Sequence, residues 1–330
     1  MINNSLLPDH QKFNNIVELE SDTIGELFIK KAKENPDKTF LICPGKQTEK
    51  FSYSEFKKML NNAMGLFLEL KLKKNDRISL IFYNSSEFLI LYFAGLSFGL
   101  TIVPINPDMS TREINYIIQD SNTRVIFVDD KLFEKMSDIE NYCNNTIIKK
   151  IKSVSDLNSS INYLESDNTN EITPYDLAVI IYTSGTTGNP KGVMLSHLNL
   201  ISDALSISKR FEFNKETRTL CILPLFHNNG QVTTLLSPLY TGGSTVIIKG
   251  KISIFSFWDL VNEYQITWTS VMASILSILL SLPKERKDNK LIGILCGGQI
   301  LTNSIQKKFE ERFNVPIFEG YGLTETTSFS

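Results

Sequence analysis

The sequence predicts a layered α/β protein. Three observations carry this reading: short apolar runs rich in β-branched residues recur along the chain, stretches with helical apolar spacing lie between them, and no internal repeat of fixed period breaks the alternation. Strands buried on both faces by crossover helices read as continuous apolar runs, so the sheet is expected to be largely parallel.

The elements follow in order. "TIGELFIKKAKENPD" reads as a helix stopped by Pro36, and "TFLIC" as a short strand after it. In "SYSEFKKMLNNAMGLFLEL" the residues Phe56, Met59, Leu60, Ala63, Met64, Phe67 and Leu68 fall at helical spacing, with Ser54 expected as the cap. Further strands are predicted at "RISLIFY", "TIVPI", "RVIFVD", "LAVIIYTS", "STVII", "TWTSV" and "LIGILCGG". The uncharged run from Phe88 to Ile105, "FLILYFAGLSFGLTIVPI", approaches the length of a membrane span. Gly95, Ser97, Gly99, Thr101 and Pro104 interrupt it, and its pattern changes from helical to β-branched. It is therefore predicted as a buried helix turning at Gly99 into a buried strand, with no integral membrane segment. The polar stretch Ser153 to Thr173 is expected to be a surface loop between two α/β halves, residues 1–175 and 176–330.

Composition narrows the function classes. A chain of 330 residues with 42% hydrophobic and 21% charged residues can bury a sizeable core. Its 34 Lys and Arg are scattered among 36 acids, so no nucleic-acid partner is expected. Cys43, Cys143, Cys221 and Cys296 lie far apart without a CxxC pair, which fits reduced thiols in the cytoplasm and gives no zinc signature. The first residues show no secretory pattern, so the sequon at Asn84 is expected to be silent.

The chemistry concentrates in "YTSGTTGNPKGVMLSH", Tyr182 to His197. It is predicted as strand "LAVIIYTS", loop "GTTGNPKG", then a helix from "LSHLNLISDALSIS", placing the loop at the carboxyl end of a strand, where open α/β sheets bind ligands. Counted from Gly185, a Walker A loop needs Gly, Lys and Ser or Thr at positions six to eight; the chain has Pro190, Lys191 and Gly192. It is not an ordinary P-loop. Gly185, Gly188 and Gly192 still permit close backbone approach, Thr183, Ser184, Thr186 and Thr187 offer hydroxyls, and Lys191 offers a point charge. A Gly/Thr surface turn has the same donors, so composition alone leaves both readings open.

The order of motifs adds to this. "YTSGTTGNPKGVMLSH", then "LPLFHNNG", "CGGQIL" and "EGYGLTET" resembles the adenylate-forming superfamily, closest to its acyl- and aryl-CoA synthetases; "AGLSFGLTIVPINP" upstream is similar too, and the likeness runs from about Thr23 to Thr327. The resemblance implies the layered αβαβα N-terminal domain of these enzymes and activation of a small-molecule carboxylic acid by Mg·ATP to an acyl adenylate. A thiol, coenzyme A or the phosphopantetheine of an acyl carrier protein, then takes the acyl group. An anion must there approach a polyanion, so the site has to neutralise charge and fix geometry.

Carried over by resemblance, Thr183 to Lys191, including Ser184, Gly185, Thr186, Thr187 and Gly188, would hold the β- and γ-phosphates. Gly297, Gly298 and Gln299 would lie along the adenine, with Tyr321 stacked on it and Gly322 beside it. Thr324 would bond the α-phosphate and Glu325 would bind Mg²⁺. The "PLFH" histidine, His227, would lie against the substrate carboxylate. A lone histidine beside Phe226 is more often a packed core residue; no acid stands in "LPLFHNNG" to meet an amino group, which favours a fatty or aromatic acid. Gly230 and "QVTTLLSPLYTGG" are expected to shape its pocket, and His10 and His197 to be structural. The resemblance also implies a ribose-binding aspartate, a hinge and a small C-terminal domain with a catalytic lysine beyond Ser330, so the N-terminal domain is expected to be incomplete at its C-terminus. A non-catalytic nucleotide-binding paralogue is the alternative.

Overall fold

A computed structural model describes residues 19–45, 47–134, 146–163, 171–183, 188–250, 254–283 and 290–328. Helix α1 (Ile24–Glu34) begins at a capping box: the Thr23 hydroxyl accepts the Glu26 N–H while the Glu26 carboxylate accepts the Thr23 N–H. Strands β1 (Thr39–Cys43) and β2 (Glu49–Ser52) form a hairpin that leads into α2 (Tyr53–Glu69). The cap of α2 is Ser52, not Ser54, because Ser52 with Glu55 three residues on satisfies two orphan amides reciprocally. Next come β3 (Arg77–Ile81), α3 (Ser86–Phe98) and β4 (Thr101–Ile105). Helix α3 is buried on every side and ends at Gly99, whose φ of 87° suits glycine, so the uncharged run is a buried helix and strand as predicted. No helix among the described residues is long and apolar enough to cross a membrane.

Helix α4 (Thr111–Asp120), β5 (Val125–Asp129), the single turn α5 (Asp130–Phe133) and β6 (Ile147–Ile151) complete the first run. Strands β7 (Leu177–Thr183) and β8 (Lys191–Ser196) precede α6 (His197–Arg210), then β9 (Arg218–Cys221). The turns α7 (Asn228–Gln231) and α8 (Ser237–Tyr240) flank a π-helical turn, Val232–Leu236. The chain continues through β10 (Ser244–Ile247), α9 (Phe257–Glu263), β11 (Trp268–Val271), α10 (Ala273–Ser281), β12 (Gly293–Cys296), α11 (Asn303–Phe313) and β13 (Ile317–Glu319).

Two sheets result, one ordered β13-β12-β11-β9-β10-β1-β2 and the other β6-β5-β3-β4-β7-β8. Each is parallel except at one edge, where β2 pairs antiparallel with β1 and β8 with β7. Alternate residues of a strand serve two cores. In β5, Val125 and Phe127 face a middle layer of helices, while Ile126 and Val128 face α4 on the outside; in β12, Leu295 faces inward and Ile294 and Cys296 face α9 to α11. The middle layer joins the inner faces of both sheets in one core, centred on Phe28, Phe40, Phe56 and Phe93 with ring centroids 5.0 to 5.9 Å apart. The result is the expected αβαβα stack.

The polar stretch after β6 corrects the sequence reading. It connects two strands of the same sheet, and its described part packs: Leu157 and Tyr163 are buried, and Ser159 and Ser160 bond the Glu69 carboxylate. Gly65 lets it lie across α2, since a Cβ there would meet the Ile161 carbonyl at 2.4 Å. The portions on either side of residue 175 each contribute to both sheets: β1 and β2 lie beside β10, while β7 and β8 extend the sheet built on β3.

Candidate functional site

Four connections at the carboxyl ends of strands build the site. The first links β7 to β8, and here the predicted loop-to-helix passage is overturned: Lys191–Ser196 is a strand returning antiparallel beside β7, with Thr183 opposite Lys191 and Tyr182 opposite Gly192. Val193 and Leu195 pack inward and Met194 faces solvent, an alternation that fits an edge strand. Gly192 makes room for the cross-strand ring, since a Cβ would lie 3.1 Å from Tyr182 Cζ, and the Tyr182 hydroxyl donates to Asp120 at 2.6 Å. Gly188 has a φ of 123° and open space where a Cβ would be. Ser184, Gly185, Thr186 and Thr187 lie outside the described residues.

The second connection leaves β9 as a turn, Leu223 to His227, and enters α7 with His227 at the cap position. Gly230 is required there, because a Cβ would meet the Pro224 carbonyl at 2.7 Å. Pro238 has no N–H, so the Thr234 carbonyl loses its helical donor. The hydroxyls of Thr219 (2.5 Å) and Thr245 (2.9 Å) donate to it instead, and the helix widens into the π turn.

The third connection follows β12, where Gly298 has a φ of 77° and open space in place of a side chain. Gln299 is exposed, and its Oε1 accepts the Ser274 N–H (3.1 Å) in the first turn of α10. The fourth follows β13: Gly320 N–H donates to the Cys296 carbonyl at 2.8 Å, Tyr321 is 70% exposed, and Thr324–Thr326 form a 3-10 turn against which β8 packs. Thr327 then takes a φ of 75° and the Ser328 N–H bonds the Thr326 carbonyl, a strained γ-turn that brings Ser328 Oγ within 3.4 Å of Thr233 Oγ1 on the π turn.

Between these connections lies a cavity of about 440 Å³, a size that suits a small organic ligand. His227, Gly297, Gly298, Tyr321, Gly322 and Thr324 line it, and the sequence had singled out each of them. Gln299 does not line it, and its side-chain oxygen holds the Ser274 N–H. Lys191, Thr183, Gly188 and Glu325 stand outside the cavity wall, with Lys191 and Glu325 exposed. Asn106, Asn228, Asn229, Met272 and Ser328 also line it and were missed. Asn106 follows strand β4 directly, and that position at a strand's carboxyl end was the available signal.

The cavity wall contains no carboxylate and no Lys or Arg among its described residues. His227 stands edge-on to Phe226 with centroids 4.9 Å apart and keeps one face open to the cavity, while the protein packed on its other sides lowers its pKa by desolvation. It is poised as a neutral hydrogen-bonding group. Nor do three His, Cys, Asp or Glu side chains gather to hold a metal ion among the described residues. Mg²⁺ with nucleotide needs fewer, since one or two carboxylates and the phosphates complete its shell, so the exposed Glu325 beside Thr324 fits that demand. His197, by contrast, is buried in the fold, its Nδ1 accepting the Ile24 N–H at 3.2 Å.

Two layered sheets whose connections bring a histidine cap and the Tyr321–Thr324 turn to one cavity define the class: the chain belongs to the AMP-binding enzyme family, whose model matches residues 28–330. Among curated proteins it is 28% identical over 325 residues to oxalate–CoA ligase of Arabidopsis thaliana, covering 94% of this chain and 62% of that protein. It is 30% identical over 309 residues to crotonobetaine/carnitine–CoA ligase of Salmonella agona (strain SL483), covering 88% and 59%. The chain thus spans about 60% of the length of these curated relatives. Two solved structures share the fold. The N-terminal domain of FACL13 from Mycobacterium tuberculosis superposes with a TM-score of 0.84 at 23% identity, covering 92% of this chain and 77% of that one. ATP-bound MatB from Rhodopseudomonas palustris superposes with a TM-score of 0.79 at 23% identity, covering 92% and 61%.

Proposed function

We propose that this chain is the nucleotide- and acid-binding part of an AMP-forming acid–thiol ligase, with coenzyme A as the thiol. The observation that carries the reading is the convergence, at one edge of the two sheets, of the Lys191 strand, the Thr324 turn and the His227 cavity. Lys191 and Thr183, on facing strands of the hairpin, flank the β- and γ-phosphates together with Gly188. Gly297, Gly298 and Gly322 leave a flat, side-chain-free floor for the adenine, and the exposed Tyr321 ring covers it. Thr324 bonds the α-phosphate. Mg²⁺, held by Glu325, supplies charge neutralisation at the phosphates when bound.

In the reaction a carboxylate oxygen displaces pyrophosphate from ATP, and the thiol then displaces AMP from the acyl adenylate. His227 meets the substrate carboxyl as a neutral donor, consistent with its lowered pKa. The uncharged cavity wall leaves a substrate ammonium without a partner and favours a fatty or aromatic acid over an amino acid. CoA is preferred to a carrier protein because the relatives' names are those of CoA ligases. Cys43, Cys221 and Cys296 are free and buried, with burial pushing the Cys221 thiol up to about 12, which suits a cytoplasmic protein.

The test is carboxylate-dependent ATP–pyrophosphate exchange by this chain across fatty, aromatic and amino acids, with calorimetric titration of Mg·ATP alongside. Exchange with a fatty or aromatic acid is the expected result. Exchange confined to amino acids overturns the substrate class, and a chain that binds no Mg·ATP overturns the site.

A further inference from the structure

The turn from Leu223 to His227 is a thin wall. The cavity of about 440 Å³ lies on one side, and a second of about 130 Å³, lined by Tyr83, Asn84, Asp108 and Gly250, lies on the other; Pro224 and Phe226 border both. Leu223 and Leu225 are buried in the two neighbouring cores, and hydrogen bonds add to this packing in fixing the backbone of the turn. Within the turn the His227 N–H donates to the Pro224 carbonyl at 3.1 Å, and Gln231 Nε2, from α7, donates to the Leu225 carbonyl at 2.7 Å. The Cys221 thiol also donates to the Leu223 carbonyl at 3.5 Å and the Gln231 N–H to the His227 carbonyl at 3.3 Å, and two further bonds come from the side of the other sheet. Asn84, 5% exposed between β3 and α3, donates through Nδ2 to the Leu223 carbonyl (3.0 Å) and accepts the Leu225 N–H through Oδ1 (2.8 Å).

Asn84 is itself anchored. Its carbonyl accepts the Gly250 N–H at 3.0 Å, Ser85 caps α3 through the Phe88 N–H, and Ser86 Oγ donates to Glu49, whose carboxylate pairs with Lys249 at 2.6 Å. These contacts tie the start of α3 to β2 and to the end of β10.

We propose that Asn84 is a positioning residue for His227: its buried amide fixes the backbone of the turn and so fixes where the imidazole stands in the cavity. The amide gives one bond through its nitrogen and accepts the other through its oxygen. Aspartate keeps the acceptor but sets a carboxylate against the Leu223 carbonyl, and leucine fills the space while losing both bonds. The sequon is thereby explained without glycosylation, because the Asn84 nitrogen is buried and already engaged. The significance for catalysis rests on the reading of His227 as the group that meets the substrate carboxyl; the clamp itself does not.

Three histidines, His10, His197 and His227, make the test tractable. The chain, labelled with ¹³C,¹⁵N-histidine, is compared with Asn84→Ala and Asn84→Leu by NMR. The Phe226 ring beside His227 makes its ring signals sensitive to small displacements. The expected result is a shift of the His227 cross-peaks well beyond their line width, with the His197 cross-peaks unmoved. A folded variant whose His227 signals superpose on the wild type overturns the proposal, and so does an equal shift at both histidines, which would report general loosening. Should neither variant fold, hydrogen exchange in the unmodified chain decides. Slow exchange of the Asn84 side-chain amide and the Leu225 N–H supports the clamp, and solvent-like exchange of both overturns it. None of these readouts needs turnover, so failed pyrophosphate exchange would overturn the reading of the site and leave the clamp standing.

Discussion

Lys191 opens β8 opposite Thr183 with its side chain in solvent, so it contributes little to packing. In the proposed function it meets the phosphates of ATP. Lys191→Ala is therefore expected to change stability by no more than about 0.5 kcal/mol and to weaken Mg·ATP binding by about tenfold or more. Paired thermal melts and calorimetric titrations check this, and unchanged ATP affinity would remove Lys191 from the site. At this scale the sequence was informative where a motif singled out a residue: His227, Gly298 and Thr324, named from the family resemblance, line the same cavity. It was silent on Asn84, whose partners lie more than 130 residues further along the chain and are backbone groups that carry no residue signature. Nor did the sequence show that the Gln299 oxygen, carried over by resemblance to the adenine, accepts the Ser274 N–H in the first turn of α10.

The π turn between α7 and α8 is a local defect settled by distant side chains. Pro238 orphans the Thr234 carbonyl, and hydroxyls from β9 and β10 answer it. Either Thr219→Val or Thr245→Val leaves one donor and is expected to cost about 1 kcal/mol or less. The double substitution strands a buried carbonyl and is expected to cost more than the sum, by about 1 kcal/mol or more. Denaturant unfolding of the four proteins checks this, and strict additivity would show that the two hydroxyls do not share the carbonyl. Among elements, most buried strands were legible because both their faces are apolar. Strands β2, β6, β8, β9 and β13 escaped notice: β2, β6 and β8 are partly exposed edges mixing Lys with apolar residues, β13 is an edge of three residues, and β9 opens on Arg218 and Thr219. The pairing of β8 with β7 matters most among them, because it turns the chain after Thr183 back on its own sheet.

The two sheets act as one body through the middle helices, and His197 makes that body sensitive to acid. Burial pushes its pKa down to about 4, outweighing the nearby Asp176 carboxylate, while its Nδ1 holds the first N–H of α1. The folded value lies below the usual ~6.5, so the unfolded chain takes up the proton first. The stability contributed by neutral His197 is complete above about pH 6.5 and drains away as pH falls towards 4, by on the order of 3 kcal/mol. His227, also lowered, acts in the same direction. His197→Gln, which can still accept the Ile24 N–H, is expected to flatten the fall in thermal midpoint between pH 6.5 and 4. An unaltered slope would assign the acid sensitivity elsewhere. The stacking order of the layers was readable in advance from the motifs, but the exchange of strands across the middle of the chain was not, since apolar periodicity records burial and says nothing of which sheet a strand joins. That exchange has a consequence for biosynthesis. Strand β1 pairs in parallel with β10, about 200 residues later in the chain. At a synthesis rate of roughly 5–20 residues per second, β1 leaves the ribosome on the order of 10–40 s before its neighbour exists. During that interval β2 is its only strand partner, and the sheet that will carry His227 cannot close until β10 has been made.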